Sequence, residues 1–269
     1  MMPGRSANTR ILDSLVSRSH SVRLAGRKVH PYFIASDAAA VGALAVSYSV
    51  IARFPGIAFS HFLLLFAVMT AYYRLALALK ARWLGMPSRS FLQDTTVILL
   101  PMYVLLAYLS GFPMTLALDV VGVLLPAYVA LVRVGCFLGG CCYGVPSPLG
   151  VLYPEHIFEP IDGCRRYHPG SDPRGRVLPV QLAESAGALA LCGLLLAYLH
   201  RFSAPPGTVL PLFLLGYSTL RFLLDFWRIE SARPRWGPLS EAQLLCLCTA
   251  VGSGIWLLRA AATHAAAGA

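Results

Sequence analysis

Seven stretches of this chain are each long and apolar enough to cross a bilayer, and no other feature restricts its fold so tightly. A bilayer's hydrocarbon core is spanned by roughly 20 apolar residues in a helix. The stretches lie near residues 33–52, 58–79, 95–112, 114–132, 179–199, 209–227 and 242–260. Soluble domains carry roughly 25% charged residues, whereas here the charged share is 13%, with 57% hydrophobic residues and a mean hydropathy of +0.65. A 269-residue chain with half the usual charge cannot cover a globular surface with polar groups, so lipid must be its main solvent. The expected fold is an all-α polytopic membrane protein of about seven transmembrane helices, with a small extramembrane lobe between helices four and five.

Residues 1–30 form a basic polar N-terminal tail with Arg5, Arg10, Arg18, Arg23, Arg27 and Lys28, and hold no apolar core of a signal peptide. They read as disordered or surface-lying. Residues 31–262 carry the seven-helix domain, and 263–269 form a tail. Ser110-Gly111-Phe112-Pro113 makes a tight hairpin of helices three and four, and Pro205-Pro206-Gly207 does so between five and six. Ser240, ahead of Glu241, suits the N-cap of the last helix. The segment 133–178 is too long for a simple connection and is rich in Gly, Pro, Cys and Arg; loops of that length usually carry function.

The net charge of +10 does not point to nucleic acid, because the Lys and Arg residues fall in short loops between apolar runs. Of seven cysteines, Cys192, Cys246 and Cys248 lie inside apolar runs and read as small hydrophobes. Cys136, Cys141 and Cys142, with His156, Cys164 and His168 later, give only one partial pair of the spacing that structural zinc requires. No metal and no cofactor are expected. A redox disulfide in the lobe is an alternative use of these thiols.

Charged groups inside spanning helices are costly and mark function by default. On helix six, Tyr217, Arg221, Asp225 and Arg228 are spaced by four, four and three, which places them on one helical face. The rest of that helix is mostly Leu, Phe and Trp, so the stripe looks inward to a polar cavity. The alternative is a structural ion pair with Arg228 reaching the interface. At the exit of helix four stands Arg133-Val134-Gly135-Cys136-Phe137-Leu138-Gly139-Gly140-Cys141-Cys142-Tyr143-Gly144. Its glycines allow tight turns with exposed N–H groups, and an arginine beside such turns suits a phosphate. Helix five opens with Gln181 and Glu184 on one face. Glu184 needs a partner there, and Arg133 or Arg221 is the natural one.

Together these motifs resemble the prolipoprotein diacylglyceryl transferase family. That family carries an Arg-x-Gly-Asn-Phe-x-x-Gly-Glu-x-x-Gly signature, matched by Arg133, Gly135, Phe137, Gly140 and Gly144, with Cys136 and Cys141 standing at its Asn and Glu positions. Its Pro-Ser-Gln-Leu-Tyr-Glu segment is matched by Pro179-Val180-Gln181-Leu182-Ala183-Glu184. Its closing Gly-Tyr-x-x-x-Arg-x-x-x-Glu-x-x-Arg is matched by Gly216, Tyr217, Arg221, Asp225 and Arg228. The family's His-Gly-Gly motif has no counterpart between Thr95 and Met102, and Leu178 stands before Pro179 where the family has His. The resemblance implies an enzyme of the bacterial inner membrane that moves a diacylglyceryl group from phosphatidylglycerol to a prolipoprotein cysteine. It implies catalytic roles for Arg133, Arg221, Asp225 and Glu184. It implies substrate binding by Gly135, Cys136, Gly140, Cys141, Gly144, Gln181, Tyr217 and Arg228. Two other readings stay open: a homologue that binds anionic lipid or uses another acceptor, and a thiol-redox membrane protein. The positive-inside rule puts the tail and the loop carrying 133–178 in the cytoplasm, whereas the resemblance implies the opposite face for that loop.

Overall fold

The computed structural model describes residues 7–19, 23–24, 27–29, 31–83, 99–154, 175–202, 205–229 and 235–267. In chain order the elements are α1 (Ala7–Ser19), β1 (Arg23–Leu24), β2 (Arg27–Lys28), α2 (Pro31–Ile51), α3 (Phe59–Trp83), α4 (Leu100–Leu109) and α5 (Met114–Leu138). They continue with β3 (Pro146–Val151), α6 (Val180–Arg201), α7 (Val209–Asp225), β4 (Arg235–Trp236), β5 (Leu239–Ser240) and α8 (Glu241–Ala267). The expected spans one to seven are therefore α2 to α8. Among the described residues five helices have the length and apolarity to cross a membrane: α2, α3, α5, α6 and α8. The two others are shorter, α4 at 10 residues and α7 at 17. The first residues of the expected third span, 95–98, lie outside the described residues. The chain is a multi-pass membrane protein, as its composition requires.

α5 is the central helix and packs against α2, α6 and α7, while α8 lies on α7 and α3 meets α4 at the periphery. Its buried face is continuous from Leu116 to Phe137. The lipid-facing side of the outer helices is apolar, as with Val251, Ile255 and Trp256 of α8. Asp119, buried on α5, has a structural role that its lone position did not reveal. Its Oδ2 and Oδ1 accept the N–H groups of Gly207 and Val209 at 2.9 and 3.1 Å. Those are donors at the start of α7 that would otherwise be orphaned in apolar surroundings. A carboxylate on one helix thereby caps another, which fixes α7 in register against α5.

Three differences from the sequence reading bear on the site. First, the N-terminal tail forms the helix α1. Val16 is fully buried against Phe137, Tyr143, Val151, Tyr153 and Val177, with Leu12 beside it. Asp13 accepts the Leu152 N–H at 2.9 Å and pairs with Arg176 at 2.5 Å. An i, i+4 apolar pair with a carboxylate between is enough to dock this turn of helix, and a count of basic residues hides it. Second, α5 runs on through Arg133 to Leu138, six residues past its expected end. Third, α7 stops at Asp225, so Arg228 is not on the same helix as Tyr217. Beyond Asp225 the N–H groups of Phe226, Trp227 and Arg228 reach back three residues, and the Trp227 carbonyl accepts the Val145 N–H at 2.9 Å. Pairing with the segment after α5 ends the helix, and Gly144 and Arg228 form a bridge there.

Candidate functional site: a buried carboxylate ringed by arginines

Glu184 lies one turn into α6 and is fully buried. Its Oε1 is 3.0 Å from Arg133 Nη2 of α5 and 3.9 Å from Arg221 Nε of α7. The same oxygen accepts the Tyr217 hydroxyl at 2.6 Å. Its Oε2 is paired with Arg228, from the turn after α7. Arg221 Nη2 also faces Asp225 Oδ1 at 3.5 Å. Three guanidinium groups and one phenol, from three separate stretches of chain, thus converge on one carboxylate. Arg221 and Arg228 are almost wholly buried and Arg133 nearly so. Among the described residues, Nε of Arg133 and Nε of Arg228 make no hydrogen bond.

Asp225 is held in turn. Its Oδ2 accepts the Ser240 hydroxyl at 2.5 Å. Ser240 and Gln243 form a reciprocal cap at the head of α8: Ser240 N–H donates to Gln243 Oε1 at 2.9 Å and Gln243 N–H to Ser240 Oγ at 3.1 Å. A capping box of this kind is readable as Ser-x-x-Gln. Its link to Asp225 is not readable, because it depends on how α7 meets α8.

The glycine-rich stretch sorts into distinct positions. Gly135 lies within α5 against Tyr32 and Ala35 of α2, where a side chain would collide. Cys136 sits one turn beyond Arg133, with its Sγ 4.0 Å from Arg133 Nη1. Gly140 has φ +67° and ends α5. Cys141 is buried, and its carbonyl accepts Gln181 Nε2 at 2.7 Å. Gly144 lies so close to the Trp227 carbonyl and Val180 that a Cβ would stand about 2.5 Å from them. That contact seats the turn bearing Arg228. Gln181 further donates to the Tyr153 hydroxyl at 3.3 Å, which itself donates to the Phe137 carbonyl at 3.0 Å. Sequence reasoning missed Tyr153, which has no periodicity to mark it. Burial holds its phenol above the ordinary range. Hydrogen bonds with Cys136 and Cys142, and burial after them, push the Cys141 thiol well above the usual thiol value. His156, Cys164 and His168 lie outside the described residues.

The fold and the site together define a multi-pass helical membrane protein with one carboxylate buried among three arginines. A family profile described as prolipoprotein diacylglyceryl transferase matches residues 95–259, and the chain belongs to that family. Among its relatives is the phosphatidylglycerol–prolipoprotein diacylglyceryl transferase of Clostridium tetani, 31% identical over 121 residues, 44% of this chain and 43% of the relative. Transferase 2 of Clostridium perfringens is 30% identical over 122 residues, 45% of this chain and 42% of the relative. The Methylococcus capsulatus transferase is 33% identical over 134 residues, 48% of this chain and 45% of the relative. The chain thus aligns with under half the length of the curated relatives it matches.

Proposed function

We propose that the chain transfers a diacylglyceryl group from phosphatidylglycerol to a cysteine thiol of a prolipoprotein, in the bacterial inner membrane. Membership of the family supports this reading, as do the relatives, whose names carry both substrates. The observation that carries it is the ring of Arg133, Arg221 and Arg228 around Glu184. Three guanidinium groups face two carboxylates, Glu184 and Asp225, which leaves one positive charge in excess in a place largely shut off from water. An excess buried charge is costly unless a counter-ion shares the site, and a phosphodiester entering from the lipid supplies one.

In the reaction the acceptor sulfur forms a bond to the terminal glyceryl carbon of the lipid, and the bond from that carbon to the phosphate oxygen breaks. Glycerol phosphate leaves, and the thiol proton ends on the departing phosphate or on solvent. Negative charge gathers on the leaving group, so preorganised guanidinium donors stabilise the transition state more than the ground state. Arg133 and Arg221 are the clamps and Arg228 supports them, because Arg presents paired donors to phosphate oxygens. Glu184 aims all three, and Tyr217 restrains its near oxygen. Asp225 aims Arg221. Both carboxylates already accept several hydrogen bonds, which favours orientation over proton acceptance as their role. Gln181, Gly140, Cys141 and Gly144 set the backbone of the turn beside the clamp, and Cys136 lies next to Arg133.

Complementation tests the proposal. A cell depleted of its own transferase and expressing this chain should regain lipidated lipoprotein, and Arg221→Ala should lose it at equal expression. Failure of the well-folded wild-type chain in this assay removes the lipoprotein acceptor.

A further inference from the structure

Three thiols meet where α5 ends, and the way that helix stops dictates their meeting. Gly140 takes the left-handed position after the helix. The Cys141 N–H donates to the Cys136 carbonyl at 3.1 Å and the Gly140 N–H to the Phe137 carbonyl at 3.3 Å. This pair of bonds is a Schellman motif, which brings the side chains of the residues at its two ends into contact. Here those residues are Cys136 and Cys141, so the contact is between thiols. Cys142 follows with φ 59°, the one non-glycine residue in the left-handed region among the described residues. L residues rarely adopt that conformation, and here it turns the Cys142 side chain onto the other two sulfurs. The cluster is fixed from behind by Gln181 and Tyr153 on the Cys141 and Phe137 carbonyls. Exposure divides the trio: Cys136 and Cys141 are buried, whereas Cys142 is partly open. An accessible thiol above a buried one is the arrangement of an attacking and a resolving cysteine.

We propose that Cys136, Cys141 and Cys142 form a thiol–disulfide exchange site, in which Cys142 attacks an incoming disulfide and Cys136 resolves the mixed disulfide. In the first step a bond forms between Cys142 Sγ and one sulfur of the incoming disulfide. The other sulfur leaves as a thiol and takes the Cys142 proton. In the second step Cys136 Sγ displaces the remaining half, which leaves as a thiol with the Cys136 proton. Two protein thiols are oxidised to one disulfide, and one external disulfide is reduced to two thiols. Cys141 is not the resolving partner, because it adjoins Cys142 in the chain, and Cα atoms of consecutive residues stand about 3.8 Å apart, short of the roughly 4.4–6.8 Å that a disulfide spans. The bridge joins the last turn of α5 to Cys142, beyond the C-cap Gly139. This site does not rest on the transferase reading, since its chemistry uses only sulfur.

The test uses the full chain in detergent micelles, treated with oxidised glutathione, alkylated, digested and measured by mass spectrometry. The expected product is a Cys136–Cys142 disulfide that dithiothreitol reverses. Cys136→Ser should accumulate glutathione on Cys142, and Cys142→Ser should slow disulfide formation by at least about tenfold. Complete alkylation of all three cysteines in the oxidised, folded wild-type chain would overturn the proposal. So would a disulfide that includes Cys141, or one that forms equally fast in Cys142→Ser. The wild-type measurement decides the case even where a variant does not fold.

Discussion

Glu184→Gln is the perturbation that bears hardest on the site. The side chain keeps its size and loses its charge, so packing is unchanged and the ring of cations faces no carboxylate at its centre. The wild-type oxygens sit 3.0 Å from Arg133 and 3.9 Å from Arg221, and the carboxylate is paired with Arg228 as well. Glutamine has one acceptor oxygen, and its amide places N–H groups against guanidinium N–H groups. Removing one partner of a buried ion pair costs about 3–5 kcal/mol, because the remaining charge is stranded. No solvent discount applies, since Arg133 is only 16% exposed and the others less. For a chain of this size each kcal/mol lowers Tm by roughly 2–4 °C, so a drop on the order of 10 °C is expected in neutral micelles. Thermal unfolding followed by circular dichroism measures it. Adding phosphatidylglycerol should narrow the gap, because an anion now finds the stranded charges. A drop under about 2 °C in neutral micelles would refute the reasoning, as the carboxylate would then not hold the arginines.

Four further outcomes are expected. Arg221→Lys keeps the charge and loses the paired donors, so transfer activity should fall on the order of 100-fold with little change in Tm, read in a lipid-turnover assay and a melt. Asp119→Ala leaves the N–H groups of Gly207 and Val209 without acceptors; stability should fall by about 1–3 kcal/mol per stranded donor, measured by denaturant titration. Gly144→Ala puts a methyl group about 2.5 Å from the Trp227 carbonyl, so the turn bearing Arg228 must shift. Activity should then fall more than stability, and comparing turnover with the melt separates the two. Maleimide should label Cys141 more slowly than Cys142 at pH 8, because Cys141 is buried with its thiol held above the usual value, whereas Cys142 is partly open; quantitative mass spectrometry of the labelled peptides checks this.

The sequence made the membrane class and the convergence of Arg133, Arg221 and Glu184 legible, for a physical reason. Ionised groups in an apolar run must meet partners, and few partners were available. The four-four-three spacing gave Tyr217, Arg221 and Asp225 their common helix. It failed at Arg228, because the end of α7 is set by a carbonyl bond to Val145, distant in sequence. The same blindness to remote partners hid the Asp119 cap and the Ser240–Asp225 link. Docking of α1 was missed because its apolar stripe is two residues wide, Leu12 and Val16, within a tail dominated by arginine. The glycines were read as one anion cradle, whereas they do separate tasks: Gly135 packs α5 on α2, Gly140 ends α5, and Gly144 admits the Trp227 carbonyl.

The central claim is that guanidinium groups held by one carboxylate clamp a phospholipid phosphate while a thiol displaces it. Its most direct test puts the purified chain in nanodiscs with phosphatidylglycerol labelled in its terminal glycerol, together with a prolipoprotein-derived peptide bearing a single cysteine. Labelled glycerol phosphate should be released in equal amount to a thioether-linked diacylglyceryl peptide, and neither should form with Arg221→Ala. Lipid that binds to the folded wild-type chain without releasing glycerol phosphate would contradict the claim, as would release undiminished in Arg221→Ala.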